Sequence, residues 1–232
     1  MDVCKRPRII ISAAVTIDGR IATKAGDSKI SSDIDMVRLH KLRASIDAIL
    51  VGRNTMMHDD PLLTVRYTTG KNPIRIILDP CGEIPSNSQI LTTSSAVPTI
   101  LVLTNNASVK DQRRLADFNV KIIHTGTERI NLKWLVTELF EKYNIKTVLV
   151  EGGGRTNWSF IKEDIFDEII LTVSPHIAGD GINLIHGDGF AQIHEGPSLH
   201  LKSAQTQGDE IVLHYTRHTT PHSDDELNCH KI

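Results

Sequence analysis

Residues 147–161 read TVLVEGGGRTNWSFI: a short β-branched run, a glutamate, three glycines and then an amphipathic stretch. The run Thr147–Val150 suits a buried strand, Glu151 falls at its end, Gly152–Gly154 make a turn and the remainder suits a helix. A strand, a glycine turn and a helix N-terminus together form an anion site. Unpaired backbone N–H groups and the helix dipole converge there, and no side chain blocks approach. A phosphate ligand follows naturally. The pattern is neither G-x-G-x-x-G nor a Walker loop, so a tight turn needing glycine's backbone freedom explains the same residues equally well. Glu151, at the C-terminal end of a parallel strand, would lie on the ligand-binding edge of the sheet; a structural or helix-capping acid is the plainer alternative.

Similar strand signals flank this segment on both sides. RIIISAAV (8–15), DAILVG (47–52), IRIILD (74–79), TILVLT (99–104), VKIIH (120–124) and DEIILTVSP (167–175) are near-continuous apolar runs, as expected for strands covered on both faces. LHLKSAQTQGDEIVLHY, from Leu199, reads as an antiparallel hairpin turning at Gly208 and Asp209. Between them, Leu132, Leu135, Val136, Leu139, Phe140 and Tyr143 follow an Asn131 cap at helical spacing. A second helix begins after Ser31 or Ser32 with Met36, Leu39, Leu42 and Ile46 on one face, leaving His40 and Arg43 on others; a weaker one covers Val109 to Phe118. The alternation predicts a single α/β domain over residues 1–217: a central, mostly parallel sheet, an antiparallel C-terminal hairpin and helices on both faces. Residues 218–232 are expected to be a polar, mobile tail.

With 232 residues, 40% hydrophobic and 23% charged, the chain has the composition of an ordinary globular protein. At this length about 70% of the unfolded surface can be buried, so the core needs neither disulfide nor metal. The 26 basic and 28 acidic side chains leave a net charge of −2, which gives no general attraction to nucleic acid or an acidic membrane. Cys4, Cys81 and Cys229 are far apart and form no Cys-x-x-Cys pair, which favours reduced thiols in a cytoplasmic setting over a disulfide framework or a zinc site. The apolar run after the N-terminus is too short to span a bilayer.

Two further segments could carry chemistry. In DAILVGRNTMMHDDPLLTVR (47–66) a strand ends at Gly52, and the loop after it supplies Thr55, Asp59, Asp60 and Arg66, with Pro61 ending any helix. A turn-rich connection, with both aspartates capping and solvated, accounts for the same residues. TIDGRIATKAGDSKISS (16–32) is a polar loop long enough to be an active-site flap, with Ser28 able to meet a phosphate or sugar hydroxyl; a plain solvent loop fits too. Arg43, in HKLRA, could grip a phosphate with two parallel hydrogen bonds, or be a solvated helix charge.

Other signals are weaker. His214, His218 and His222 lie four apart but fall on a strand and in the tail, which does not suit one metal site. Ser159–Lys162 matches S-x-x-K without the motifs that accompany it in acylases. The sequons at Asn106 and Asn157 have no role in a cytoplasmic protein. Trp134 and Trp158 read as core residues.

Taken together, TIDGRIA, GDSKIS, LHKLRA, DAILVGRNT, HDDPLLTVR, NPIRIILD, LVEGGGRTNW and DEIILTVSPHIAG, in that order from Arg8 to Tyr215, resemble the reductase family of riboflavin biosynthesis, whose domain is similar to dihydrofolate reductase. Bacterial members follow a zinc deaminase with H-x-E and P-C-x-x-C motifs. Both motifs are absent here, and the arrangement is similar to the stand-alone archaeal and fungal members, in which reduction precedes deamination. The resemblance implies a cytoplasmic homodimer with no fused deaminase and no metal. It implies NADPH, with NADH a weaker donor, and reduction at ribose C1′ of a small ribosylamino-pyrimidine 5′-phosphate. No nucleic acid or membrane partner is expected.

On matching positions, the family implies NADPH contacts from Ala14, Ile30, Thr55, Asp59, Gly152, Gly153 and Gly154, and from Arg155, Thr156 and Asn157 onward to Ser159. Substrate would be held by Ser28, Arg43, Leu63, Arg66 and Glu151, the arginines suiting its phosphate. Asp18 would lie near the pocket wall, although an Asp before Gly also makes a turn unaided. Glu151, then Asp59, are the candidate proton donors for opening the glycosylamine to an imine. A dihydrofolate or pterin reductase, a reductase acting on the deaminated substrate, and a non-catalytic nucleotide-binding module are the competing readings.

Overall fold

Seven strands that run the same way build the middle of the molecule, and the order in which the chain fills them creates one crevice. In the computed structural model, which describes residues 6–217, the chain runs β1 (Arg8–Val15), β2 (Arg20–Thr23), α1 (Asp33–Ala44), β3 (Ala48–Gly52), α2 (Arg53–Asp59), β4 (Ile74–Leu78), α3 (Gln89–Thr92), β5 (Thr99–Leu103) and α4 (Val109–Ala116). It continues through β6 (Lys121–His124), α5 (Leu132–Glu141), β7 (Thr147–Val150), α6 (Gly154–Lys162), β8 (Glu168–Val173), β9 (Gly181–Asn183), β10 (Leu199–Gln207) and β11 (Glu210–Arg217). The main sheet has nine strands in the order β10-β11-β8-β1-β7-β3-β4-β5-β6. Those from β8 to β6 are parallel, and β11 and β10 close the other edge antiparallel. After β6 the chain crosses back and inserts β7 between β1 and β3, so the strand order reverses there and the crevice opens at the C-terminal ends of β7 and β3.

Both sheet faces are apolar, which is why the strands read as continuous runs. Ile9, Ile11, Ala48, Leu50, Val148 and Val150 face one cluster with Leu132, Leu135, Val136 and Leu139 of α5 and Phe160 of α6. Ile10, Ile49, Val51, Ile77 and Leu149 face the other, with Leu115 of α4, Ile90 and Leu91 of α3, Met56 and Leu63. Each such side chain contributes about 1.5–3 kcal/mol by leaving water. Helices therefore lie on both faces, and the hairpin turns at Gly208, whose φ is +61°. Asn131 caps α5 by accepting from the Trp134 N–H at 3.0 Å, and Ser32 caps α1 through the Asp35 N–H. No helix among the described residues is long and apolar enough to cross a membrane.

Four expectations need correction. Residues 16–32 are not one loop: β2 pairs with β9 in a separate two-stranded sheet. The segment after Gly52 is helical from Arg53 to Asp59, because Asp60 takes a left-handed conformation (φ +37°) and closes the helix before Pro61. α1 buries a polar face as well as its apolar one: Leu39 and Leu42 pack with buried Ile46 on the core, but Asp35, His40 and Arg43 are buried too. The polar face meets polar partners from β8 and from the segment after β7, and these decide its orientation. Trp134 is half-exposed, whereas Trp158 is buried as expected. His214 bonds to Glu168 in β8 at 2.5 Å; His218, His222, Cys4, Cys229 and the 218–232 tail lie outside the described residues.

Candidate active site at the switch point

Because β3 and β7 are neighbours in register, with Leu50 opposite Val150, the segments after them emerge side by side. The Glu151 N–H donates to the Leu50 carbonyl at 3.0 Å, which carries the pairing one residue beyond β7. The chain then packs closely against its neighbour. A Cβ added at Gly152 would lie 2.6 Å from Thr156 Cβ, and one added at Gly52 would collide with Thr156 Oγ1. Glycine at 52 lets the two segments touch, and glycine at 152 leaves room for Thr156 of the turn's own following helix. Thr55 of α2 reaches the same spot: a Cβ added at Gly153 would lie 3.5 Å from its Oγ1. Gly153 is the N-cap of α6 and no side chain caps that end, which leaves a helix N-terminus beside a hydroxyl.

Beside this cradle sits a buried charge cluster. Arg43, in the last turn of α1, donates from Nε to Glu151 Oε1 at 2.8 Å and from Nη2 to Glu151 Oε2 at 2.5 Å. Its Nη1 also reaches the Thr64 carbonyl at 3.2 Å. The carboxylate, with desolvation opposing it, raises the Arg43 pKa. His40, one turn earlier, is fully buried, and its Nδ1 lies 2.8 Å from the Arg66 backbone N–H. Burial first, then Arg43 and Arg66, lower the His40 pKa to about 4, against an opposing pull from Glu151. The Arg66 side chain is exposed and, among the described residues, bonded only to Thr64 Oγ1 at 3.0 Å; partial burial followed by Arg43 holds it below the usual arginine value.

The remaining expected positions distribute unevenly. Asp59, at the end of α2, is exposed as a residue and makes no side-chain hydrogen bond among the described residues. Desolvation by the protein around its carboxyl nonetheless raises its pKa, with His58 opposing. Leu63 is buried with φ +53°. Asn157 is buried, and its Nδ2 donates to the Leu184 carbonyl at 2.9 Å. Gly154 likewise packs against Asn183, and its carbonyl accepts from the His186 N–H at 3.0 Å. Arg155 is exposed and its carbonyl accepts from Ser159 Oγ at 2.9 Å. Ser28 is exposed, Ala14 half-buried and Ile30 buried, and none makes a side-chain hydrogen bond into the charge cluster. Asp60 is structural, its carboxylate receiving the Gln89 N–H at 2.9 Å. Asp18 clamps the chain after β8 through the Ala178 and Gly179 N–H groups; the Thr16 hydroxyl, then those bonds, bring its pKa to about 2.

Sequence reasoning missed His40 and Thr64. The i,i+3 spacing of His40 and Arg43 was the available signal, since it places them on one helix face.

The arrangement joins an anion-binding cradle to a buried acid–base pair flanked by an exposed arginine. It suits a dinucleotide on one side and a second anionic ligand on the other. The family described as RibD C-terminal domain matches residues 7–213. The chain is 34% identical over 219 residues to the 2,5-diamino-6-ribosylamino-4(3H)-pyrimidinone 5′-phosphate reductase of Methanothermobacter thermautotrophicus, covering 91% of this chain and 98% of that one. It is similar to the solved structure of Acinetobacter baumannii RibD, with a TM-score of 0.79 and 25% identity over 92% of this chain and 58% of the other. At the level of fold alone it is similar to Enterococcus faecalis dihydrofolate reductase complexed with NADP(H), with a TM-score of 0.52 and 12% identity over 91% and 96% of the two chains.

Proposed function

Since the chain belongs to the RibD C-terminal domain family, we propose that it is the oxidoreductase of riboflavin biosynthesis that reduces 2,5-diamino-6-ribosylamino-4(3H)-pyrimidinone 5′-phosphate at ribose C1′, with NADPH as donor. The observation that carries this reading is the contact between adjacent strand ends: Gly52, Gly152, Thr55 and Thr156 on one side, and Glu151 with Arg43 and Arg66 on the other.

The residues fit a nicotinamide dinucleotide. The uncapped α6 N-terminus at Gly153 and the Thr55 hydroxyl would hold its phosphates, with Ala14, Ile30 and Arg155 assigned to the cofactor by the family resemblance alone. When bound, NADPH supplies a hydride. Arg66 would take the 5′-phosphate, since its guanidinium reaches solvent with most of its donors unspent. Arg43 has both prongs on Glu151, so its part is to hold that carboxylate in place. Ring opening breaks the C1′–O4′ bond and requires a proton on the departing ring oxygen; the anilinic nitrogen lone pair forms the C1′ imine, which then accepts the hydride. Asp59, whose raised pKa keeps its proton to higher pH, is the better donor of the two carboxylates. Glu151, fixed by Arg43, would instead orient the sugar hydroxyls and stabilise the cationic imine. Placement within about 3–3.5 Å of the hydride and exclusion of water then complete the protein's task.

We place the enzyme in the cytoplasm as a homodimer, with residues 1–217 as the reductase domain; sedimentation of the purified chain tests the assembly. The test of function is oxidation of NADPH, followed by absorbance, with the diamino substrate, its deaminated analogue and dihydrofolate in parallel. Turnover preferring the diamino compound supports the reading. Preference for the deaminated analogue would place reduction after deamination, preference for dihydrofolate would favour the pterin reading, and binding of NADPH with no turnover would favour a binding module.

A further inference from the structure

His40 is buried in the middle of the charge cluster, and the substrate reading leaves it without a task. Its bonding fixes its tautomer. Nδ1 faces the Arg66 backbone N–H at 2.8 Å, and since an amide N–H can only donate there, Nδ1 carries no proton. The proton of the neutral ring is therefore on Nε2. That nitrogen lies 3.3 Å from Arg43 Nη1, a second donor, so this is a packing contact, and Nη1 has the Thr64 carbonyl to bond instead. A proton on Nδ1 would break the Arg66 bond and set a cation between two guanidinium groups. Tyr67 closes the ring off from solvent, with centroids 4.8 Å apart at a 60° tilt.

The segment that His40 touches is itself held in an unusual shape. Leu63 is a bulky residue with φ +53°, a conformation that persists only where its surroundings over-determine it. Four side chains do so here. Arg75 Nη1 donates to the Leu62 carbonyl at 3.3 Å, Arg43 Nη1 to the Thr64 carbonyl at 3.2 Å, Asn72 Oδ1 accepts the Val65 N–H at 2.8 Å, and His40 accepts the Arg66 N–H. His40 is the last tie before Arg66 and the only one of the four that bonds Arg66 itself.

We propose that His40 is a positioning residue: as a neutral imidazole protonated on Nε2, it fixes the Arg66 backbone and so aims the Arg66 guanidinium at the anionic group of the substrate. The inference rests on the reductase reading for the identity of that anion, and its structural half stands without it. The lowered His40 pKa agrees with a ring kept neutral.

Three measurements test it. In protein labelled with ¹⁵N-histidine, His40 at pH 7 is expected to be neutral with its proton on Nε2; a proton on Nδ1 would overturn the proposal before any variant is made. The Arg66 amide is expected to exchange at least tenfold faster in His40→Leu, which removes the acceptor, and near the wild-type rate in His40→Asn, whose Oδ1 replaces Nδ1. Equal exchange in the two variants would overturn it. With substrate, His40→Leu is expected to raise KM about tenfold while kcat at saturation and NADPH Kd stay within about twofold, with His40→Asn restoring KM. An equal loss in NADPH affinity would mean a general structural role and would also overturn it. If the wild-type protein does not turn over the substrate, the reductase reading fails while the tautomer and exchange results still decide the role of His40.

Discussion

Arg43 and Glu151, 108 residues apart in the chain, form a two-pronged ion pair with both side chains largely out of water, at 8% and 13% exposure. Removing one partner leaves the other charge buried. Arg43→Ala is therefore expected to cost about 3–5 kcal/mol in urea denaturation. Arg43→Met combined with Glu151→Leu should regain most of that stability while activity stays lost. A double variant as unstable as the single one would show that the pair is not what holds α1 to β7.

Arg66→Ala should behave differently, because its guanidinium is exposed and, among the described residues, bonded only to Thr64. Unfolding should shift by less than about 0.5 kcal/mol. Substrate KM should rise about 10- to 150-fold, the equivalent of about 1.5–3 kcal/mol for a charged hydrogen bond. Titration calorimetry should find NADPH affinity unchanged; equal losses for both ligands would contradict a phosphate role.

The two carboxylates separate by pH profile. With its pKa raised by desolvation, Asp59 holds its proton to higher pH than an ordinary aspartate, so kcat should fall as pH rises through that raised value. Asp59→Asn should abolish this limb and lower kcat by about 10²–10⁴-fold. Glu151→Gln should lower kcat more than it raises the NADPH Kd, and an unchanged kcat at saturating substrate would exclude it from the chemistry.

Stability should decline in mild acid through His40. Its pKa falls from 6.5 in the unfolded chain to about 4 in the folded protein, so folding favours the neutral ring. The contribution is complete above about pH 6.5 and is lost as pH falls through 4. Burial sets most of the shift, followed by Arg43 on the same helix and Arg66 on the segment between α2 and β4, with Glu151 after β7 opposing them; the Tyr67 ring also packs against His40. Guanidinium midpoints compared at pH 7 and pH 4.5 should fall less in His40→Asn than in the wild type.

Gly52→Ala should destabilise the fold by about 1–3 kcal/mol, since the new methyl meets Thr156 Oγ1. Adding Thr156→Ala removes the obstructing oxygen and should recover most of the loss in thermal unfolding. Failure to recover would mean that another neighbour sets the cost.

Period and composition were sufficient for much of the fold. IRIILD and TILVLT suited strands covered on both sides, and Asn131 followed by Leu132, Leu135, Val136 and Leu139 suited a helix with one buried face, and both are found. The short helix after Gly52 escaped because its end depends on a left-handed Asp60, and β2 escaped because its partner β9 lies about 160 residues away in the chain. Within the site, Glu151 and the glycines were legible from their place at a strand end, whereas the bond from Asn157 to the Leu184 carbonyl joins segments that no local pattern brings together.

The sequence by itself determined that β-strands alternate with helices, that a hairpin follows the last parallel strand, and which short segments lie at strand ends, because these follow from local periodicity and turn chemistry. It also carried the family resemblance, distributed from Arg8 to Tyr215. Only the tertiary structure decided what those segments meet. Insertion of β7 between β1 and β3 brings Glu151 to Arg43 and Thr156 to Gly52, and it turns the polar face of α1 inward. No local pattern could show that an arginine and a histidine on a helix are buried, because the partners that make their burial affordable in free energy come from loops far away in the chain.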